Sequence, residues 1–190
     1  MGAARKKYRL PSKFILVANQ FWAHKNHGIV IDAVRRLAVR GLAVPIVLTG
    51  LPLDHRDPRN HYVSLLLQQI VASGLAGTVL PLGQVSYSEL IDLMRTAALV
   101  IQPSRFEGWS TLVQDAKALG RPLLCSDIPV HREQAPTCLG FFDPDDPARL
   151  SELIGDHWEA CDPGPNHSVE LIALDQEQVF ARTHGRKLLD

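Results

Sequence analysis

Short apolar runs alternate with longer segments of helical period along most of the chain. FILVAN (14–19), VPIVLTG (44–50), TVLPLG (78–83), LVIQPS (99–104) and RPLLCS (121–126) are rich in Val, Ile and Leu. Polar, glycine or proline positions bound them, which predicts strands, and LGFF (139–142) reads as a further one. Between the first two runs, Ile29, Val30, Ala33, Val34 and Leu37 recur on one helical face, and Gly41 gives the stop. Residues 58–73 predict a second helix ended by Gly74. Residues 86–97 predict a third, with Ser86 as its cap and Glu89 three positions on. A helix from about Ser110 and an amphipathic one over 147–161 complete the alternation. Beyond Asp162-Pro163-Gly164-Pro165 the chain is polar, with one more helix expected from Leu171 onwards. No internal repeat or low-complexity segment interrupts the order.

Six strand–helix alternations with continuously apolar strands predict an α/β fold. The sheet is expected to be Rossmann-like, open and parallel, of about six strands with helices on both faces. Ligands of such sheets bind beyond the carboxyl ends of the strands, at the point where strand order reverses. The loops that matter therefore follow Asn19, Thr49, Leu82, Gln102 and Ser126. Three regions are expected: a basic leader or linker over 1–13, the Rossmann-like domain over 14–161, and a polar C-terminal segment over 162–190.

Composition narrows the classes of partner. A chain of 190 residues with 46% hydrophobic and 21% charged residues buries one core without help from disulfides. The formal net charge of +0 provides no global field toward nucleic acid or an anionic membrane. No run of eighteen apolar residues occurs, no signal peptide is expected because MGAARKKYRLPSKF has no apolar stretch, and Cys125, Cys138 and Cys161 form no CxxC pair. A cytoplasmic protein with reduced thiols is the expectation. Arg5, Lys6, Lys7 and Arg9 around Tyr8 read as a solvated leader.

Two loops concentrate the chemistry. In NQFWAHKNHG (19–28), Lys25 and Asn26 stand where the first helix begins, bringing an ammonium beside free backbone N–H groups. A diphosphate suits that combination. In FEGWSTLVQDAKALG (106–120), Glu107 sits at a glycine-containing turn and Asp115 lies two turns into the following helix. Gly108 lets a ligand approach the backbone, and the helix start presents unpaired N–H groups to an anion or a sugar hydroxyl.

The second loop resembles the Glu-x7-Glu motif of retaining GT-B glycosyltransferases of the GT4 type, written FEGWST followed by acidic residues and AKALG. The second glutamate of that motif is Asp115 here. The resemblance runs from Phe14 to about Ala160 and implies one half of a GT-B fold, the domain that binds the nucleotide-sugar donor. It implies that Lys25 contacts the donor diphosphate and Glu107 the hydroxyls of the transferred sugar. The backbone of Gly108, Trp109, Ser110 and Thr111 would line sugar and phosphate, and Asp115 would accept from the ribose. Aspartate is one methylene shorter than glutamate, so a longer or water-bridged contact is expected there. Asn19 stands where many relatives carry an arginine, a change worth about 1.5–3 kcal/mol of donor affinity. Gly83, Gln84 and Val85 correspond to the loop that meets the nucleobase through main-chain groups. Neither metal nor cofactor is implied, only the nucleoside-diphosphate sugar. The acceptor-binding domain, and any membrane association, would belong to a missing N-terminal half or a separate subunit, and this chain alone is expected to transfer little or no sugar.

Other features carry less. His24 and His27 form an HxxH pair without a third ligand nearby, short of what zinc needs. Trp22 and Trp109 sit in candidate loops, where a ring can stack on a sugar or a base, but core packing is the commoner role of tryptophan. His131, Arg132 and Glu133, in SDIPVHREQAP (126–136), resemble a family segment that shapes the loop near the donor; capping or ion pairing explains them as readily. No Walker, GxGxxG or GxSxG sequence is present. The alternatives are a non-catalytic nucleotide-sugar-binding module or subunit, and a related GT-B protein such as a nucleotide-sugar epimerase or a glycogen-phosphorylase-like protein.

Overall fold

The computed structural model of the protein describes residues 2–54, 56–57 and 59–187. Strands β1 (Ile15–Ala18), β2 (Ile46–Thr49), β3 (Val79–Gly83), β4 (Leu99–Gln102), β5 (Leu123–Ser126) and β6 (Gly140–Phe142) form one sheet. Its order is β3-β2-β1-β4-β5-β6, and every pairing is parallel. This is the expected open α/β sheet of six strands, each strand shorter than its apolar run.

Side chains along each strand alternate between two cores. Ile15, Val17, Ile46, Leu48, Leu99, Ile101 and Leu124 face a core shared with helices α2 (His27–Val39), α3 (His61–Ala72) and α7 (Pro147–Trp158). Leu16, Val47, Val100, Leu123 and Cys125 face the opposite core, with α4 (Tyr87–Thr96) and α5 (Thr111–Ala118). A fully buried branched residue contributes about 1.5–3 kcal/mol, so strands apolar at every position are stable only between two helical layers.

The N-terminal segment departs from expectation, and the expected C-terminal helix starts early. At the N-terminus Lys6, Lys7 and Arg9 are exposed, but the segment is no free leader: Ala3–Lys7 folds as helix α1, and Ala4 and Leu10 are buried in the second core. The Ala4 N–H donates to Asp92 Oδ2 at 2.7 Å, and Lys7 Nζ pairs with Glu89 Oε1 at 2.6 Å. The apolar alternates of this segment, masked in the sequence by four cations, explain the difference. The final helix, α8 (His167–Lys187), begins four residues before Leu171 and packs on α5. Arg95 grips Glu170 with two hydrogen bonds, at 2.9 and 2.6 Å, and ties α8 to α4. The short helix α6 (Pro129–Gln134) follows β5.

The chain runs outward from β1 to β2 and β3, then returns to β4 on the other side of β1. The order therefore reverses between β1 and β4, the two strands whose following loops carry Lys25 and Glu107.

Candidate functional site

The crevice starts where the β1–β4 ladder stops. Ile15 pairs with Leu99 and Leu16 with Val100, and beyond them side chains take over. Asn19 Nδ2 donates to Gln102 Oε1 at 2.7 Å, with both residues buried. The other end of the Gln102 amide donates to Ser110 Oγ at 2.6 Å and to Glu107 Oε1 at 3.1 Å. One glutamine thus saturates its amide on three loop residues and fixes the turn after β4. Gly50, at the end of β2, is required beside it: a Cβ there would lie 2.0 Å from the Asn19 carbonyl oxygen.

Lys25 closes a 3-10 turn, Ala23–Lys25, and Asn26 then turns the chain through a left-handed conformation into α2. A backbone bond from Arg105 N to His24 O, 2.8 Å, holds this loop against the one after β4. The result is an ion pair between Lys25 Nζ and Glu107 Oε1 at 2.6 Å, with both side chains mostly buried. The α2 amides of His27 and Gly28 lie beside the Tyr62 phenol; burial raises its pKa and those N–H groups lower it.

Helix α5 begins beside the pair. Ser110 caps it, its Oγ accepting from Val113 N at 3.4 Å. Gln134 of α6 clamps the same residue, accepting from Ser110 N at 3.0 Å and donating to Ser110 O at 3.1 Å. A Cβ at Gly108 would meet nothing within 4 Å, and Thr111 is exposed. Trp109 is half-exposed and donates to Gln114 at 3.2 Å, so it is not a core residue. Asp115 has burial as the main cause of a raised pKa, partly offset by the Tyr87 hydroxyl at 3.5 Å. Gly83 takes a left-handed φ of 72° and its carbonyl accepts from Gly50 N and Thr49 Oγ1, which leaves Gln84 and Val85 to lead into α4. Asn19 is committed to Gln102 and adds no charge to the crevice.

His24 is partly exposed and rests by Trp22, whereas His27 is buried. The His27 ring is buried and stacks on Phe21, ring centres 4.6 Å apart, and Trp22 lies against Arg56 at 4.5 Å. Among the described residues no group of three His, Cys, Asp or Glu is placed to hold a metal ion. Sequence reasoning reached Gln102 only as a strand end and Gln134 only as part of segment 126–136, and missed the bonding role of both. A polar residue ending a fully apolar strand was the available signal for Gln102; for Gln134 the signal was its place in the segment 126–136.

Residues 3–156 match the sequence family described as Glycosyl transferases group 1. The chain belongs to this family. The O-antigen chain mannosyltransferase RfbU of Salmonella typhimurium is 34% identical over 88 residues, which cover 46% of this chain and 25% of that protein. Among solved structures, a glycosyltransferase from Rickettsia africae ESF-5 superposes with a TM-score of 0.75 at 16% identity, covering 90% of this chain and 44% of the other. Anabaena Alr3699/HepE in complex with UDP gives a TM-score of 0.72 at 21% identity, covering 96% of this chain and 51% of the other. At these identities the solved structures establish the fold. The group 1 chain described here spans about a quarter of the mannosyltransferase and about half of each of these two structures. No helix among its described residues is long and apolar enough to cross a membrane.

Proposed function

We propose that this chain is the donor-binding half of a retaining, GT4-type glycosyltransferase, taking a nucleoside-diphosphate sugar at the β1–β4 crevice. The observation that carries the reading is the Lys25–Glu107 pair at 2.6 Å, one partner from each side of the switch point. A donor diphosphate offers Lys25 a stronger anionic partner, and the sugar hydroxyls that accompany it offer Glu107 hydrogen-bond donors. Binding would exchange the internal pair for an ionic contact at Lys25 and hydrogen bonds from hydroxyls at Glu107, leaving neither group without a partner.

Chemistry would then be largely electrostatic. Lys25 and the start of the neighbouring helices offset charge on the departing diphosphate, while Glu107 fixes the sugar's orientation. Asp115 and the Tyr87 hydroxyl face the ribose, and Gly83–Val85 face the base. No metal is assigned a role. The names of similar proteins support a sugar-nucleotide donor: one is a mannosyltransferase, and Alr3699/HepE has been solved with UDP and with UDP-glucose. On this reading the acceptor is bound by a second domain, the setting is cytoplasmic polysaccharide synthesis, and this chain alone has little or no transfer activity.

The test is calorimetric titration of UDP, GDP and ADP, each with and without its sugar, into the chain and into Lys25→Ala. Micromolar to low-millimolar binding of one nucleotide, weakened ten- to hundredfold by the substitution, is expected. Binding that Lys25→Ala leaves intact would remove the pair from the site. A non-catalytic sugar-nucleotide-binding module is the second reading, favoured by the neutral Asn19 buried against Gln102. Efficient sugar transfer by the purified chain would refute both that module and the need for a second domain.

A further inference from the structure

His131 is connected to the same crevice through its helix. It lies on α6, three residues before Gln134, and residues so spaced share one helical face. Gln134 on that face clamps Ser110, whose hydroxyl bonds Gln102, which in turn bonds Glu107. The charged groups that act on the His131 ring are Glu107 and Lys25, the ion pair of the crevice. Its ring is wholly buried.

The protonation pattern of the ring follows from its neighbours. Ser126 Oγ donates its one hydrogen to the Ser104 carbonyl at 2.5 Å. Toward the imidazole the Ser126 hydroxyl is therefore an acceptor, and the Ser126 carbonyl is another. His131 Nδ1 lies 3.0 Å from each. Facing two acceptors, Nδ1 must carry the hydrogen. Burial, the main influence on the ring, pushes its pKa below the usual histidine value and keeps it neutral. Nε2 is then a bare lone pair. It is buried and has no hydrogen-bond partner. Buried acceptors without partners are rare and costly, and this one belongs to a ring tied through Ser126 to Ser104, in the loop after β4 that also carries Glu107.

We propose that His131 is a further sugar-contacting residue, its Nε2 accepting a hydrogen bond from a hydroxyl of the donor sugar once that donor has opened the Lys25–Glu107 pair. The proposal rests on the donor-site reading above. The chemistry selects the partner. A diphosphate diester has only acceptor oxygens at neutral pH and cannot satisfy a lone pair, whereas a sugar hydroxyl donates. Two neighbouring hydroxyls fit two acceptors, one on the Glu107 carboxylate and one on His131 Nε2. Lys25 meanwhile passes from Glu107 to the diphosphate. The three residues thus divide the donor by chemistry: the ammonium takes the phosphate, and the two acceptors take the sugar.

The experiment separates the sugar from the nucleotide. UDP, GDP and ADP are titrated against UDP-glucose, GDP-mannose and ADP-glucose, using the full chain, H131N and H131Q. Asparagine reproduces the Nδ1 donor toward Ser126 but offers nothing at the Nε2 position; glutamine reaches that position with an amide oxygen. H131N is expected to weaken the sugar nucleotide five- to tenfold while moving the matching nucleoside diphosphate less than twofold, and H131Q should recover part of the loss. Nitrogen NMR of histidine-labelled wild-type chain gives a reading that needs no stable variant. Its Nε2 signal should shift toward the hydrogen-bonded position with the sugar nucleotide and stay in place with the nucleoside diphosphate. Equal weakening of both ligands, or an Nε2 signal indifferent to the sugar, overturns the role. Failure of the wild-type chain to bind any nucleotide overturns the donor-site reading itself and, with it, this proposal.

Discussion

Asn19 and Gln102 join the ends of β1 and β4 by a buried hydrogen bond of 2.7 Å, just where the backbone ladder between those strands gives out. That bond orients the Gln102 amide, and the amide orients Glu107 and Ser110. The turn that carries the acidic residue of the site is therefore built on a glutamine with no free hydrogen-bonding end.

Gln102→Leu removes this hub at almost constant volume. Asn19, Ser110 and Glu107 each lose a partner in buried surroundings, so about 2–4 kcal/mol of stability should disappear, measured by urea denaturation. A loss below about 0.5 kcal/mol would show that the network is dispensable for the fold.

Lys25 and Glu107 should behave as a coupled pair. Lys25→Met leaves a mostly buried carboxylate with Gln102 as its remaining partner, and Glu107→Gln leaves the ammonium without its counter-charge. The double substitution should cost at least about 1 kcal/mol less than the two single costs summed, in a denaturation-based mutant cycle. Strict additivity would mean that the pair contributes nothing to the ligand-free fold.

Acidification should destabilise the chain between pH 6.5 and about 4. Burial pushes the His27 pKa down from 6.5 to about 4, the charge of Lys25 adding to the shift and a backbone contact with Asn19 opposing it. In that window the unfolded chain binds the proton and the folded chain does not. Stability is thus fully present above 6.5 and falls with pH, by up to about 3 kcal/mol from this residue. His131 and His24, also shifted downward, add to the slope. His27→Phe, which retains the stack on Phe21, should flatten it in melts taken across this range.

Gly50→Ala tests how closely β2 supports the crevice. Its methyl group would lie 2.0 Å from the Asn19 carbonyl, so the β1 loop must shift. A loss of more than about 2 kcal/mol is expected, with weakened nucleotide binding measured by calorimetry under conditions where the variant remains folded.

The N-terminal helix should prove integral to the domain. Ala4→Glu drives a carboxylate into the pocket formed with α4, near Asp92, and should cost about 1–3 kcal/mol, with loss of hydrogen-exchange protection in residues 3–10. Unchanged protection would return this segment to the solvated leader that its four cations suggest.

Sequence alone determined the layers and the loops. Strands apolar on both faces need helices on both sides, the helical period of the intervening segments supplied them, and ligands of parallel sheets bind at strand carboxyl ends. Lys25 and Glu107 were visible for that reason: each is a charge in such a loop, beside a helix start. Their meeting was not visible. They are 82 residues apart, and contact follows from β4 pairing with β1, a choice made by the packing of the whole sheet. The same holds for Gln102 and Gln134, whose amides have two ends each but no sequence mark of which partners they take. Hidden too was the state of His131, since its bare Nε2 depends on a serine hydroxyl already turned toward Ser104. Periodicity is a local property, written residue by residue; hydrogen-bond saturation and charge pairing in a crevice are properties of the assembled sheet, decided only when distant loops are brought to one edge.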